Sequence, residues 1–138
     1  MITGGCLCGR IRYETDAQPL GAVLCHCRDC QRITGSAFGA AMMFPKTAVT
    51  VTGETRSYAS LGSSGKQAVR HFCANCGSIV YGTPEIVPDF INIYAGTLDD
   101  PTLFQPGFAI FKRDRRAWDM DGMPGFDGAP EGTPPGAR

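Results

Sequence analysis

The chain has 138 residues, and its formal charge is zero because thirteen basic side chains balance thirteen acidic ones. This length accommodates one domain with a modest core, and the balanced charge argues against a general nucleic-acid binder. No stretch approaches the roughly 20 apolar residues of a membrane span, and the first residues lack the pattern of a signal peptide. We therefore expect a cytoplasmic protein without nucleic-acid or membrane partners.

Short runs rich in β-branched and aromatic residues recur along the chain between Gly, Pro and Asp residues. At this spacing they predict antiparallel strands and a mainly β domain. The predicted strands cover 10–14, 22–25, 37–44, 49–52, 56–60, 68–72, 78–82, 90–95 and 108–111. One short helical turn is predicted over 28–34, with Asp29 as an acid in its first turn and Gly35 as its terminator.

The C-terminal part of the chain changes in composition. Charged residues dominate from Lys112 onward, and Gly and Pro dominate over 125–138. Such a composition buries too little apolar area to order itself. We therefore expect one folded domain over 1–124, with a segment wrapped around Trp118, followed by a flexible tail over 125–138.

Seven cysteines fall in three clusters with Cys-x-Cys, Cys-x-Cys-x₂-Cys and Cys-x₂-Cys spacing. They are Cys6, Cys8, Cys25, Cys27, Cys30, Cys73 and Cys76. An odd number in these spacings indicates metal ligation rather than disulfides in a reducing compartment. Seven ligands divide naturally into four and three. Four thiolates close a tetrahedral zinc site, whereas three leave one position for water or a substrate sulfur.

Glycine follows the second cysteine of two clusters, as Gly9 after Cys8 and Gly77 after Cys76. A metal-binding turn often needs positive φ or a close backbone approach at that position. We therefore group these two clusters into one structural zinc site, called the cysteine quartet: Cys6, Cys8, Cys73 and Cys76. Such a site closes a long loop and contributes on the order of 10 kcal/mol to folding.

The remaining cysteines, Cys25, Cys27 and Cys30, are called the cysteine trio and form the candidate open site. The alternative is a closed, inert site with a fourth protein ligand. His26 is the obvious candidate ligand, but a strand would point it away from the flanking cysteines. His71 fits an ordinary hydrogen-bonded histidine better. A non-catalytic zinc module for protein partners and a labile redox or metal-storage centre remain alternative functions.

Three ordered segments, over 4–9, 25–38 and 72–78, carry a resemblance to a known family. In these segments the chain resembles the glutathione-dependent formaldehyde-activating enzyme family, which is also named for centromere protein V. The similarity continues through 96–101 to Trp118 and 121–124, so that it covers nearly the whole chain. Three cysteine clusters in the same order make the resemblance specific.

The resemblance implies a β-tent fold of packed antiparallel sheets and two zinc ions per chain. One zinc would be structural, on the quartet, and the other would be catalytic, on the trio, where the sulfur of glutathione approaches. The implied activity is that of a carbon–sulfur lyase similar to S-(hydroxymethyl)glutathione synthase. The partners of the enzyme would be a small-molecule thiol, glutathione or a similar one, and formaldehyde or another small aldehyde. The chain could also form a homo-oligomer.

Residues near the trio in sequence are candidates for substrate contacts. An open zinc can bind a thiol, lower its pKa and polarise a carbonyl, so we expect the trio to be catalytic. Arg28 and Arg32 could engage a glutathione carboxylate. The developing alkoxide needs a proton, which water, Ser36 or His26 could supply. We therefore expect Arg28, Arg32 and Ser36 to contact the bound thiol.

Overall fold

The computed structural model describes residues 1–119 and 123–124. Ten strands are found in this part of the chain: β1 Ile2–Gly5, β2 Arg12–Thr15, β3 Gly21–Cys25, β4 Gly39–Pro45, β5 Thr50–Thr52, β6 Thr55–Leu61, β7 Gln67–Cys73, β8 Ile79–Pro84, β9 Phe90–Tyr94 and β10 Phe108–Ile110. The helix α1 covers Arg28–Thr34, and short 3₁₀ helices cover Lys46–Ala48, Ala95–Thr97, Pro101–Leu103 and Lys112–Asp114. None of the described helices is long and apolar enough to span a bilayer.

The strands form two sheets. The small sheet has the order β1-β2-β5, and the large sheet has the order β10-β3-β4-β9-β8-β7-β6. The prediction of a mainly β fold with one short helix is confirmed. The antiparallel prediction is wrong for one pair, because β10 runs parallel to β3 at the edge of the large sheet. Two parallel strands need a long connection between them. Here the chain forms β4 to β9 between β3 and β10.

Each predicted strand overlaps an observed strand, but β1 was not predicted. Its two glycines, Gly4 and Gly5, weaken the strand signal. The structure shows why glycine stands there, since a Cβ on Gly4 would collide with the ring of Tyr13 on β2. The backbone of β1 is also held from outside its sheet, because the N–H of Asp99 donates to the carbonyl of Thr3 at 3.0 Å. Tertiary contacts therefore make this strand.

The core contains residues of both sheets. On β4 and β9 the alternate residues Met42, Phe44, Ile91 and Ile93 are at most 3% exposed, and they pack in one cluster with Tyr13 of the small sheet. Because successive side chains of a strand point to opposite faces, the residues between them lie on the second face of the large sheet. That second face carries the trio and the cavity described below.

Helix α1 connects β3 to β4 and has the predicted bounds. Its N-cap is Cys27, whose sulfur accepts a hydrogen bond from the N–H of Cys30 at 3.3 Å, and Gly35 ends it with φ of 65°. The buried Gln31 donates from Nε2 to the carbonyls of His26 at 2.7 Å and Asp114 at 2.9 Å. The helix thereby holds the segment that follows β10. The predicted tail over 125–138 lies outside the described residues.

Candidate metal centres and an adjoining cavity

The four sulfurs of the quartet lie within 4.8 Å of one another, although Cys6 and Cys8 are far in sequence from Cys73 and Cys76. The Sγ atoms of Cys6 and Cys8 are 3.6 Å apart, and those of Cys8 and Cys73 are 3.7 Å apart. Zinc–sulfur bonds of about 2.3 Å place two sulfurs of a tetrahedron about 3.8 Å apart. The donor set and its dimensions therefore fit a tetrahedral zinc ion.

The turns that carry the quartet have the predicted backbone. Gly9 has φ of 78° and Gly77 has φ of 76°, a left-handed conformation that strongly favours glycine. The N–H of Gly9 donates to the carbonyl of Cys6 at 3.0 Å, and the N–H of Gly77 donates to the carbonyl of Cys73 at 2.9 Å. Each turn thus bends its second cysteine back towards the first.

Hydrogen-bond donors lie near two sulfurs of the quartet, and one of them favours a thiolate. The N–H of Ile11 donates to Cys6 Sγ at 3.2 Å. The hydroxyl of Ser78 lies 3.3 Å from Cys76 Sγ, and its hydrogen bond lowers the pKa of Cys76 to about 5. Thiolate is the form that binds zinc, so the hydrogen bond from Ser78 prepares Cys76 for a metal.

The three sulfurs of the trio also lie within 4.8 Å of one another. Cys25 is the last residue of β3, Cys27 caps α1 and Cys30 lies in the first turn of that helix. Within residues 1–119 and 123–124, no further Cys, His, Asp or Glu belongs to this group. The trio therefore offers three protein ligands, and a tetrahedral ion held there keeps one position for an incoming molecule.

Neither histidine of the chain completes the trio. His26 is 4% exposed, its ring packs edge-on against Phe38 at 5.3 Å, and its Nδ1 lies 3.8 Å from a carboxylate oxygen of Asp119. His71 has Nε2 within 2.8 Å of the hydroxyl of Thr83. His71 is thus an ordinary hydrogen-bonded histidine, and the alternative in which His26 closes the site has no support in the geometry.

The thiols of the trio influence one another. A hydrogen bond from Cys30 lowers the pKa of Cys25 to about 6. The same interaction and burial raise the pKa of Cys30, and burial raises the pKa of Cys27. Three thiolates so close together repel one another, so full deprotonation requires a cation among them. The chemistry of this donor set fits a divalent metal with soft ligands.

A cavity of about 170 Å³ adjoins the trio on the second face of the large sheet, and Cys25 and Cys30 form part of its wall. Strand pairing brings the remaining wall together, since Cys25 pairs with Gly39, Ala41 with Tyr94, and Gly82 with both Asn92 and Arg70. The other lining residues are Val23, Ala68, Val69, Thr83, Pro84 and Ile110. The wall is thus mostly apolar, with a few polar groups.

Arg70 and Tyr94 in this wall were not predicted as site residues. Arg70 is only 8% exposed, and its Nη1 donates to the hydroxyl of Ser60 at 2.8 Å and to the carbonyl of Ala68 at 3.3 Å. Burial alone would lower the pKa of Arg70, but its interactions with the neighbouring side chains of Tyr94 and Cys30 raise it above its ordinary value. An arginine in the middle of the predicted strand 68–72 was the available signal.

The model of the glutathione-dependent formaldehyde-activating enzyme family matches residues 1–114, which include all seven cysteines. The chain belongs to this family. A crystal structure of a Rhodobacter sphaeroides protein has a similar fold, with a TM-score of 0.58 and 22% identity, over 77% of this chain and 98% of that one. A comparison with curated proteins found no match. The resemblance seen in the cysteine clusters is confirmed.

The residues predicted to contact glutathione in this family member lie together, but not in the cavity. Arg28, Arg32 and Ser36 line a recess of about 220 Å³ on α1, with Arg116 and Trp118 from the segment that wraps over the helix. The guanidinium of Arg28 also donates to the side-chain carbonyl of Gln31. Contact between these residues and a thiol stays a prediction, and the recess shows where it would occur.

Proposed function

We propose that the chain is a zinc-dependent carbon–sulfur lyase that joins a thiol, glutathione or a similar one, to formaldehyde or another small aldehyde. The observation that carries the proposal is the trio, whose three sulfurs lie within 4.8 Å without a fourth Cys, His, Asp or Glu from the described residues. The adjoining cavity gives a substrate room beside Cys25 and Cys30. Membership of the family supports a formaldehyde-activating or related function.

A zinc ion held by the trio would supply a Lewis acid that lowers the pKa of an incoming thiol and polarises an aldehyde carbonyl. The chain fixes the three ligands before any substrate arrives. Cys25 is held by the strand ladder with β4, and Cys27 is held by its hydrogen bond from the N–H of Cys30. Such supports keep ligand geometry within the narrow limits that reactive sites require.

The reaction forms one carbon–sulfur bond between the thiol sulfur and the aldehyde carbon, and the thiol proton ends on the aldehyde oxygen. Ser36 and His26 were candidates for delivering that proton, but neither lines the cavity. Tyr94 does line it, and burial raises the pKa of Tyr94. Its hydroxyl therefore stays protonated at neutral pH and can give its proton to the developing alkoxide, after which the proton released by the thiol restores the hydroxyl. We assign this role to Tyr94 within the proposal.

Glutathione is larger than the cavity and would need a second contact surface. The recess on α1 presents the side chains of Arg28, Arg32 and Arg116, and guanidinium groups bind carboxylates through paired hydrogen bonds. The same short helix carries Cys30 and is capped by Cys27. If the recess binds glutathione, Arg28→Ala and Arg32→Ala will raise the KM for glutathione, whereas an unchanged KM would dismiss this contact.

The decisive experiment compares metal content and turnover in the parent chain and in Cys27→Ser. We expect two zinc ions in the parent and one in the variant, a retained fold by circular dichroism, and no turnover of glutathione and formaldehyde above the spontaneous rate in the variant. Ser57→Ala, on exposed β6, is the control and should behave like the parent. Undiminished turnover in Cys27→Ser would refute the proposal. One zinc in the parent and no response to thiols would favour the non-catalytic module.

A further inference from the structure

The cavity is larger than formaldehyde requires. Its volume of about 170 Å³ is close to that of an engineered cavity of about 150 Å³ that binds benzene. It therefore has room for a molecule of about six non-hydrogen atoms, whereas formaldehyde has one carbon and one oxygen. The space exists because four wall positions carry only glycine or alanine: Gly39, Ala41, Ala68 and Gly82.

One full positive charge is buried in the wall of this cavity. Arginine stays charged under all ordinary conditions, and Arg70 is 8% exposed. Its Nη1 is bonded to two neutral acceptors, on Ser60 and Ala68, and no Asp or Glu of residues 1–119 and 123–124 pairs with it. A buried charge is costly unless an opposite charge accompanies it.

The trio is one source of opposite charge, because three thiolates around a divalent cation leave one net negative charge. That charge explains a cation near Cys30. The negative charge of the trio does not explain why an open cavity lies beside Arg70. It also does not explain why the cavity wall is mostly apolar, with hydrocarbon surface from Val23 and Ile110. A ligand that matches all three features has a short carbon chain that ends in an anion.

We propose that the cavity is a subsite for a carboxylate carried by one of the reacting partners, and that Arg70 binds this carboxylate. The inference rests on the proposed function for its reaction. The carboxylate belongs to an oxo-acid aldehyde or to a short thiol acid, and the space excludes the whole of glutathione. Only Nη1 of Arg70 donates to Ser60 and Ala68, so a carboxylate would pair with the other donors of the guanidinium, beside Tyr94 and Cys30. Asn92 and Thr83 add polar groups to the wall.

Binding of an unreactive acid tests the subsite without turnover. We expect propionate to bind the zinc-loaded protein saturably, in calorimetry and by a rise in Tm, at least tenfold more tightly than propionamide. Arg70→Gln and Arg70→Lys should each weaken propionate binding about tenfold, because lysine keeps the charge but lacks the planar pair. The exposed Arg56→Gln is the control. Equal affinity of propionate for Arg70→Lys and the parent would overturn the subsite.

A second variant keeps the test sharp if Arg70 variants fold poorly. Gly82 faces the cavity, and a Cβ there would lie 3.5 Å from the carbonyl of Val69, which is an ordinary contact. Gly82→Val therefore fills the cavity while Arg70 remains. We expect propionate binding to fall at least tenfold in this variant. A filled cavity that still binds propionate with parental affinity would also overturn the subsite.

Turnover identifies which partner carries the carboxylate. One arm compares glyoxylate with its neutral amide as aldehydes, and the other compares 3-mercaptopropionate with its amide as thiols towards formaldehyde. Arg70→Gln should lower kcat/KM about tenfold for the charged member of one arm only. Formaldehyde turnover without any effect of charge in either arm would overturn the inference and leave the proposed function standing. Propionate binding that depends on Arg70, without turnover of any pair, would support the subsite and refute the proposed reaction.

Discussion

Gly39 lies directly across the strand ladder from Cys25, and a Cβ atom on Gly39 would lie 3.3 Å from Cys30 Sγ. The pairing of β3 with β4 therefore positions Cys25 and also leaves space for the sulfur of Cys30. Cε1 of Tyr94 would lie 3.5 Å from the same Cβ atom. The geometry of the trio thus depends on the absence of a side chain at residue 39.

Replacing Gly39 by alanine should disturb the trio without unfolding the chain. The added methyl would press on Cys30 Sγ at a distance tighter than ordinary contacts, and a small displacement of a metal ligand impairs both affinity and reactivity. We expect the second zinc to bind about tenfold more weakly in Gly39→Ala, measured by competition with a chromophoric chelator. Gly21→Ala, on β3 where the new methyl meets nothing within 4 Å, should keep parental zinc affinity.

Tyr13 should make the stability of the fold fall at alkaline pH. Its side chain is 3% exposed, its hydroxyl bonds to that of Thr97 at 3.0 Å, and burial raises the pKa of Tyr13 to about 12. The folded chain holds this proton more tightly than the unfolded chain, in which tyrosine titrates near pH 10. This proton contributes roughly 2 to 3 kcal/mol to the free energy of unfolding. The contribution is fully present below about pH 10 and is lost as the pH rises to about 12.

Urea unfolding of the zinc-loaded protein from pH 7 to 11.5 measures this contribution. Tyr13→Phe should cost about 1 kcal/mol at pH 7, because the hydrogen bond to Thr97 is lost, but its stability should decline less between pH 10 and 11.5. Tyr58→Phe, at a tyrosine that is 61% exposed, should follow the parent. The same alkaline decline in the parent and in Tyr13→Phe would show that Tyr13 does not carry it.

Gln31 should hold the segment after β10 against the helix. Gln31→Leu keeps most of the side-chain volume but removes the donor to the carbonyls of His26 and Asp114. The Asp114 carbonyl keeps a hydrogen bond from Arg116 Nε at 2.7 Å, whereas the buried His26 carbonyl loses its side-chain donor. An unpaired buried carbonyl costs about 1 to 3 kcal/mol, and the link from Gln31 to the segment after β10 is lost, so local opening of that segment becomes more frequent. We expect trypsin to cleave after Arg113 or Arg115 at least about tenfold faster. The exposed Gln105→Leu should be cleaved at the parental rate, and equal rates for Gln31→Leu would refute this role.

Local sequence signals predicted much of the fold because they report local causes. Gly35 ends α1, and Gly9 and Gly77 adopt positive φ after cysteine, as predicted from the need for a residue without Cβ. Strand β1 lacked such a signal because its glycines are required by residues outside the strand: Gly4 by Tyr13 on β2, and Gly5 by the carbonyl of Ile11. The parallel pairing of β10 with β3 has no local cause either, since it depends on how the whole chain returns to the sheet edge.

The same difference between local and long-range causes applies to the candidate site. The cysteine clusters could be found from their spacing, which reflects the short reach of turns around one ion. The cavity could not be predicted, because Arg70 comes close to Cys30 only when five strands pair in register. Arg28 and Arg32 are neighbours of the trio in sequence, yet they line a recess on the helix. Proximity in sequence therefore located the metal ligands and was a weaker guide to the space beside them.

The quartet and the trio should differ in what their metal does for stability. The quartet joins β1 and the following turn to the end of β7, and Cys6 and Cys73 belong to the buried core cluster. The trio joins residues that are only a few positions apart. Its metal therefore closes a short loop, restricts the unfolded chain little and adds little to the free energy of unfolding. A chelator should therefore remove the trio's zinc first, with the fold intact, and the quartet's zinc only as the chain unfolds.

Matched serine variants separate the two contributions. Cys6→Ser removes a ligand of the quartet and should lower Tm by more than about 10 °C, since structural zinc supplies folding free energy directly. Cys27→Ser removes a ligand of the trio and should lower Tm by less than about 5 °C. Calorimetry on both variants, with zinc counted in each, gives the comparison. If Cys27→Ser is as damaging as Cys6→Ser, the trio is also a structural site, and its assignment as the reactive centre loses its main support.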